Sequence, residues 1–275
     1  MNPYSPSNLK GLPPRRRFLL VLTCLMLTVV AAASWGAAST LQHGSRKSPA
    51  APAAALVPFA VGEKLDYAAQ WNRFVTAATF RLAVTERREF FGAQVLHFQA
   101  AAQTIDPVRR LFPLDDQFDS YTDTSTLESH QYESYIREQN RQDDLVVPMA
   151  TKSQPGPLNR RVYVVFPGTT DPVGLIYRLR IVDWKKESES RLRVFDGRKF
   201  YDVEARREST GNQVVVPAGA FRATRIALRI LEGGVEVPNL KLWISLGEDP
   251  ACLPVLFEAE AAFGTVRAEL TAHSR

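Results

Sequence analysis

Carboxylates are the side chains in this sequence whose spacing could support catalysis. Glu258 and Glu260 lie two residues apart in an alternating segment, which places both on one face of a strand, about 7 Å apart by strand rise. Carboxylate pairs at such separations hydrolyse glycosides. Asp115, Asp116 and Asp119 form a second acidic group. Solvated strand faces and turns also collect acidic residues, so we predict no catalytic residue and keep a carboxylate-dependent hydrolase as a minor alternative.

Histidine and cysteine show no metal-binding or nucleophilic pattern. His43, His97, His130 and His273 are far apart, and no His-x-His, His-Glu-x-x-His or Cys-x-x-Cys spacing occurs. His97 alternates with apolar neighbours and is expected to be exposed. Cys252 has no histidine nearby in the sequence and is expected to be a small core residue. A phosphate-binding loop and a dinucleotide fingerprint are also absent, so we expect no metal and no cofactor.

Aromatic residues form the more suggestive set. They occupy alternate positions of predicted strands, or positions beside a predicted helix, where their rings would face the interior of a curled sheet. Such a sheet can leave an apolar cavity, as ligand-holding barrels do, although an ordinary packed core uses the same residue types. The candidate cavity-lining residues are Tyr67, Trp71, Phe80, Phe98, Tyr177, Trp243 and Phe257.

A period of two dominates the sequence after residue 60. Apolar residues alternate from Leu65 to Trp71, and the alternation resumes out of phase at Phe80, which predicts a bulge near Ala77-Ala78. Asp196-Gly197 between two alternating segments is a strong hairpin signal. Many short strands separated by turn residues predict a mainly β fold: a curled antiparallel meander that forms a partly closed barrel or half-barrel.

The alternate faces of these segments are charged. Arg222, Arg225, Arg229, Lys241 and Glu260 occupy such positions. An outer-membrane barrel, the competing β architecture, needs a continuous apolar exterior with aromatic girdles. We therefore predict one soluble β domain over residues 59–275, because no low-complexity break interrupts that range.

One segment departs from the period of two. Thr170-Asp171-Pro172 combines an N-cap residue with proline at the first helical position, and Val173, Ile176 and Leu179 continue a helical stripe. We predict a helix of two to three turns, packed on the sheet or plugging one of its ends, with Asp171 as its cap rather than a catalyst. Asp106-Pro107 predicts a second short helical turn.

The positive charge lies at the N-terminus. The formal net charge is +5, but Lys10 and Arg15-Arg16-Arg17 precede residue 39 and no acidic residue does, so the remainder has 30 basic against 29 acidic residues. Nucleic-acid binding needs a concentrated positive face, which the scattered later charges do not form. We therefore exclude nucleic acid as a partner.

The N-terminal region has the pattern of an export signal. The three arginines precede an apolar run over residues 18–33, and small residues continue to Ala38. We predict a signal peptide over residues 1–38, with a signal helix, cleaved after Ala33 or Ala38, and a periplasmic location. An uncleaved inner-membrane anchor and a twin-arginine signal are the alternatives. Residues 39–58 are rich in alanine and proline and predict a semi-extended linker.

Several short motifs follow one another in a distinctive order. They are Leu65-Asp66-Tyr67 with Trp71, Asp171-x5-Tyr177-x-Leu179-Arg180, Pro217-Ala218-Gly219-Ala220-Phe221, Leu242-Trp243-Ile244-Ser245, Leu253-Pro254-Val255, and Gly264 with Glu269-Leu270. This order resembles the bacterial envelope family known as domain of unknown function 3108, over about residues 61–270. The resemblance implies a predominantly β, secreted or periplasmic domain, and it implies no established reaction or ligand. Residues 138–157 fit the family pattern least.

Three functions are consistent with these patterns. The first is a non-enzymatic envelope protein whose curled sheet binds a hydrophobic or amphiphilic ligand such as a lipid. The second is an assembly module that docks another envelope protein through a sheet edge or an apolar patch. The third is the envelope hydrolase, which requires Glu258 and Glu260 to converge in a cleft.

Overall fold

The computed structural model describes residues 57–72, 74–151, 162–262 and 264–274. The predicted signal segment, with its helix, and nearly all of the predicted linker lie outside these residues. Within them, no helix is long and apolar enough to span a membrane. The helices are α1 (Val108–Leu111) and α2 (Pro172–Arg180). The strands are β1 (Lys64–Trp71), β2 (Val75–Phe90), β3 (Ala93–Thr104), β4 (Asp115–Asp123), β5 (Ser129–Glu138), β6 (Arg141–Ala150), β7 (Tyr163–Val164), β8 (Thr169–Thr170), β9 (Glu189–Phe195), β10 (Phe200–Val216), β11 (Gly219–Glu232), β12 (Val235–Glu236), β13 (Leu240–Gly247), β14 (Pro254–Ala261) and β15 (Gly264–Ser274).

The strands form one curled sheet. Its order is β7-β6-β5-β4-β3-β2-β1-β15-β14-β13-β11-β10-β9-β8, with β12 paired to β11. Neighbours are antiparallel except at the two short outermost strands, where β7 runs parallel to β6 and β8 runs parallel to β9. The predicted fold class, a curled antiparallel meander with two short helices, is confirmed.

Bulges contribute to the bending of the sheet. In the β1–β2 pair, Ala69 lies opposite Ala78 and Gln70 lies opposite Thr76, so Ala77 is the extra residue. The bulge predicted at this position is confirmed. Further register shifts occur in the β1–β15, β2–β3, β4–β5, β10–β11 and β13–β14 pairs. Because a bulge increases the local right-handed twist and bends its strand, repeated bulges favour a curl over a flat sheet.

Helix α2 lies on the concave side of the sheet and contacts β3, β4 and β9. Its Tyr177 ring stacks on Phe98 with ring centroids 3.7 Å apart. The Tyr67, Phe80 and Phe257 rings form a second group on the same side, with centroids 5.1 to 6.0 Å apart. The interior around β1, β2 and β3 is therefore packed rather than hollow.

The outermost strands β7 and β8 lie on one segment, which pairs with β6 on one side and with β9 on the other. Among the described residues, no backbone ladder joins β6 directly to β9. The turn between β9 and β10 packs on β6 instead. A Cβ at Gly197 would lie 2.3 Å from Cγ2 of Val147, so glycine permits this approach. Arg198 Nη2 lies 2.5 Å from Asp143 Oδ2. We call the contact of Asp143 and Val147 with Gly197 and Arg198 the seam.

Strands β4 to β6 arise where the sequence shows little apolar alternation. Asp115, Asp116 and Asp119 all lie on β4, so none of them belongs to a turn. The side chains of Ser120 and Thr122 are fully buried on this strand. Polar residues at buried positions hide the period of two, because that pattern is visible only when burial and apolar character coincide.

Candidate ligand-binding site

An apolar groove lies between α2 and the strands of the C-terminal half of the sheet. We call it the helix groove, and its cavity has a volume of about 60 Å³. One side of α2 forms one wall, and β9, β10, β11, β13 and β14 form the other. Apolar side chains make up nearly all of the lining, among them Leu175, Leu179, Tyr201, Ile230, Leu242 and Phe257. Such a surface suits hydrocarbon rather than a charged ligand.

The N-terminus of α2 is fixed by Asp171, as the cap prediction requires. Its Oδ1 accepts hydrogen bonds from the backbone N–H groups of Val173 and Gly174, both at 2.8 Å. Its Oδ2 accepts from the hydroxyls of Ser120 and Ser129, at 2.5 and 2.6 Å. Burial raises the pKa of Asp171, and these hydrogen bonds oppose the rise. The start of α2 is thereby attached to β4 and β5.

The C-terminus of α2 is fixed by a buried ion pair. Arg180 donates to both carboxylate oxygens of Glu63, at 2.6 and 2.9 Å. It also donates to the backbone carbonyls of Pro58, Ala251 and Cys252. The bonds to Glu63 and Pro58 tie the helix to the segment before β1, and the bonds to Ala251 and Cys252 tie it to the loop between β13 and β14. Both polar anchors of α2 therefore lie at its ends, away from the apolar wall of the helix groove.

Most of the candidate aromatic residues belong to the packed core rather than to the helix groove. Tyr67, Phe80, Phe98 and Tyr177 are buried, and the Tyr67 hydroxyl donates to the Pro254 carbonyl at 2.7 Å. Phe257 is the candidate that joins the two regions, because it contacts the Tyr67 ring and also lines the groove. The seven residues thus do not form one cavity wall.

The two candidate tryptophans do not belong to the buried core around Tyr67. Trp71 ends β1 and packs against a second apolar cluster that includes Leu242. Trp243 borders the helix groove but alternates with the buried Leu242 and Ile244, so its ring points to the outer face, where the Arg225 guanidinium lies 4.8 Å from the ring centre. The prediction that the Trp243 ring faces the interior is therefore wrong.

The paired glutamates do not converge in a cleft. Glu258 lies on the outer face between Arg225 and Arg267 and forms ion pairs with both. Glu260 is exposed and lies 3.5 Å from Lys241. Glu258 is therefore paired with two arginines and Glu260 with one lysine. This geometry gives the hydrolase interpretation no support.

His97 is not exposed, contrary to expectation, because it joins a polar network on the outer face. Its Nε2 lies 2.7 Å from Asp119 Oδ1, and its ring stacks on Tyr121. Burial alone would raise the pKa of Asp119, but hydrogen bonds from His97, Gln117 and Gln99 outweigh it, and the pKa is lowered. In the part of the chain that the structure describes, no cluster of histidine, cysteine and acidic residues could hold a metal ion.

The family model of the protein of unknown function DUF3108 matches residues 66–271. The chain belongs to this family. No curated protein gives a match. The fold is similar to that of a β-barrel-like DUF1849 protein from Brucella abortus, at 11% identity and a TM-score of 0.42 over 78% of this chain and 97% of that one. It is also similar to a protein of Bacteroides fragilis described as exported, with a YmcC-like fold, at 14% identity and a TM-score of 0.35 over 79% and 98%. A third similar structure is a protein of Parabacteroides distasonis described as a lipoprotein. It is 9% identical in sequence, with a TM-score of 0.36 over 78% of this chain and 96% of that one.

Some of the DUF3108 motifs are joined to one another or fix the ends of α2. Tyr67 and Pro254 are joined by a hydrogen bond, Asp171 caps the helix, and Arg180 binds the loop before β14. Glu63, the partner of Arg180, lies outside every motif that the sequence offers, and 117 positions separate the two residues. The expected core position of Cys252 is also wrong, because this residue is only partly buried in that loop.

Two further titratable residues have altered pKa values: Asp116, a member of the acidic group described above, and Glu138, which the sequence did not single out. Burial raises the pKa of Asp116 to about 6 and that of Glu138 to about 7. The Asp115 carboxylate adds to the rise at Asp116, and the Asp116 carboxylate adds to the rise at Glu138. Arg137 donates its backbone N–H to Asp116 at 2.8 Å. Neither carboxylate lines the helix groove.

Proposed function

We propose that the protein is a non-enzymatic component of the bacterial envelope that binds an apolar or amphiphilic ligand, such as a lipid, in the helix groove. The observation behind the proposal is the groove between α2 and the C-terminal half of the sheet, which is lined almost entirely by apolar side chains. Its lining lacks any pair of groups placed for acid–base or nucleophilic chemistry, and its one carboxylate, Glu258, is held by two arginines.

The size of the groove determines how a ligand would be accommodated. An engineered apolar cavity of about 150 Å³ binds benzene, whereas the helix groove has a volume of about 60 Å³. A hydrocarbon chain therefore requires α2 to move away from the strands. The groove side of α2, including Leu175 and Ile176, makes apolar contacts, which have no directional requirement and can re-form around a chain. The polar anchors at Asp171 and Arg180 keep the two ends of the helix attached while its middle shifts.

Binding of a dansyl-labelled fatty acid tests the proposal. Leu175→Trp places a larger side chain in the helix groove and should weaken binding at least tenfold, about 1.4 kcal/mol. Ile181→Trp is the matched control, because Ile181 is exposed just after α2 and should leave the affinity unchanged. Absence of binding to the parent protein, together with native mass spectra free of co-purified lipid, would refute the proposal.

We infer the periplasmic location from the predicted signal peptide. Residues 1–38 have the composition of a signal peptide and residues 39–58 that of a linker, which together would deliver the β domain to the periplasm, with an inner-membrane anchor if the signal is retained. Deleting residues 2–38 should leave the protein in the cytoplasmic fraction, and recovery of that variant in the periplasm would contradict the assignment.

A second candidate function, docking of another envelope protein, is favoured by apolar residues at strand turns. Phe74 between β1 and β2 is 91% exposed, and Val235 after the β11 turn is 71% exposed. Large exposed apolar side chains can anchor a partner. A photo-crosslinking residue at position 74 should then capture one defined envelope protein in cells, whereas the same residue at position 206, on the exposed face of β10, should not.

A further inference from the structure

We propose that a second cavity, at the end of the sheet where β1 begins and β15 ends, binds a small organic cation that has a primary ammonium group on an apolar body. Its lining includes Glu63 and Asp249, and we call it the carboxylate cavity. Its volume is about 480 Å³, within the range of about 300–1,000 Å³ that is usual for small-molecule sites. It shares no lining residue with the helix groove or the seam, so the proposal is independent of ligand binding in the helix groove.

Unequal strand lengths account for the carboxylate cavity. β11 begins at Gly219, but its ladder with β13 starts only at Ala223. β15 continues to Ser274, but its ladder with β14 reaches only to Glu269. The free ends of β11 and β15 therefore extend past the short strands β13 and β14 that separate them in the sheet order. These two ends line the cavity, and the β13–β14 loop and the start of β1 complete the lining.

The inner lining of the carboxylate cavity is apolar. Leu65 on β1 and Leu253 in the β13–β14 loop are buried and belong to the main apolar core. Phe221 on β11 and Ala251 in the loop are half-buried and pack against that core. On β15, the His273 ring lies 6.4 Å from the Phe221 ring, measured between centroids. A hydrocarbon group in the cavity would therefore contact apolar surface on several sides.

The charges of the lining favour a cation. The lining contains the carboxylates of Glu63 and Asp249 and no lysine or arginine. Arg180 neutralises Glu63 from the side of α2. Asp249 forms no ion pair with any residue that the structure describes, and its Oδ1 accepts the Ala251 backbone N–H at 2.7 Å. An unpaired carboxylate in a cavity wall attracts a positive ligand and repels a negative one.

The loop that carries Asp249 is held in place. The Cys252 backbone N–H donates to the Asp249 carbonyl at 3.0 Å, and Arg180 donates to the carbonyls of Ala251 and Cys252. A Cβ at Gly247 would lie 2.9 Å from Asp249 Oδ2, so glycine at this position leaves room for the carboxylate. The position of the carboxylate is therefore fixed before a ligand binds, which lowers the cost of ordering the site.

The arrangement suits an amine rather than a fatty acid. Asp249 is exposed and lies at the opening, whereas Leu65 and Leu253 are buried. An ammonium group can donate to Asp249 Oδ2 while its hydrocarbon body covers the two leucines. The carboxylate of a fatty acid in the same position would face two carboxylates and no cation of the lining.

Methyl NMR of the labelled protein, titrated separately with hexylamine, hexanol and hexanoate, tests the proposal. Hexylamine should give saturable shifts of the Leu65, Ala251 and Leu253 methyls and should bind more tightly than hexanol, with hexanoate the weakest. Asp249→Asn keeps the Oδ1 acceptor for Ala251 but removes the charge, so it should weaken hexylamine binding at least fivefold and leave hexanol binding within twofold. Asp202→Asn is the matched control, because Asp202 is an exposed carboxylate on β10 that does not line the cavity.

A second variant tests the location by size rather than charge. Ala251→Leu narrows the carboxylate cavity and should weaken hexylamine and hexanol alike, at least fivefold. Hexanoate binding as tightly as hexylamine, or equal effects of Asp249→Asn and Asp202→Asn on hexylamine, would overturn the proposal. Hexylamine shifts confined to the Leu175 and Leu242 methyls would also overturn it, and they would leave ligand binding in the helix groove supported. Absence of any shift with millimolar hexylamine refutes the cation site, whatever the result with fatty acids.

Discussion

Replacing Arg180 with methionine should destabilise the fold severely, because the substitution leaves Glu63 buried without its partner. The two side chains are 0% and 1% exposed. Removing one member of a buried ion pair costs about 3–5 kcal/mol. The three backbone carbonyls that Arg180 binds also lose a donor, and a buried acceptor without a partner costs about 1–3 kcal/mol. A loss of about 4 kcal/mol or more is therefore expected, a large part of the 5–15 kcal/mol typical of a domain.

Urea unfolding followed by tryptophan fluorescence measures this effect. With a denaturant slope of about 2 kcal/mol per molar, the midpoint should fall by about 2 M. Adding Glu63→Leu to Arg180→Met should recover about 1–4 kcal/mol, because it removes the isolated charge. Arg193→Met is the control, since Arg193 forms an exposed ion pair with Asp202 and should cost less than about 1 kcal/mol. A midpoint for Arg180→Met that is no lower than that of Arg193→Met would refute the structural role of the pair.

Three further predictions concern the helix and the buried carboxylates. Asp171→Ala removes the cap of α2 and should lower the free energy of unfolding by about 2–4 kcal/mol in thermal melts, and a loss below about 0.5 kcal/mol would contradict the cap. Gly174→Ala would place a Cβ 2.4 Å from Thr170 Oγ1 and should destabilise by about 1–3 kcal/mol although alanine favours helices; a more stable variant would show that the contact relaxes freely. Burial raises the pKa of Asp116 to about 6 and of Glu138 to about 7, so the folded state binds protons more tightly than the unfolded chain, and stability should rise as pH falls from about 8 towards about 5. Glu138→Gln should flatten that rise in urea midpoints measured across the range, and an unaltered pH slope would contradict the assignment.

Local signals in the sequence were sufficient for several elements of the fold. The change of phase at Ala77 predicted a bulge, because one extra residue reverses every later side chain. Asp171-Pro172 predicted the start of α2, and Asp196-Gly197 predicted the β9–β10 turn, because these residue types satisfy local backbone geometry. Such features depend on neighbours within a few positions.

The remaining features depend on contacts between distant parts of the chain. Ser120 and Ser129 are buried because Asp171 accepts their hydrogen bonds, and nothing in β4 or β5 alone signals that partner. Glu63 is buried for the same kind of reason, through Arg180. Trp243 alternates with the buried Leu242 and Ile244 and therefore faces outward, although large aromatic rings are more often buried. The size of the helix groove depends on how closely α2 approaches the sheet, which no local pattern records.

Methyl NMR of the labelled protein during titration with lauric acid tests ligand binding in the helix groove most directly. Leu175, Leu228 and Leu242 line the groove, whereas Leu82 lies in the packed interior of β2. The account predicts saturable shifts of the three groove leucine methyls with little change at Leu82. Unchanged groove methyls at saturating lauric acid, or equal shifts throughout the core, would contradict it.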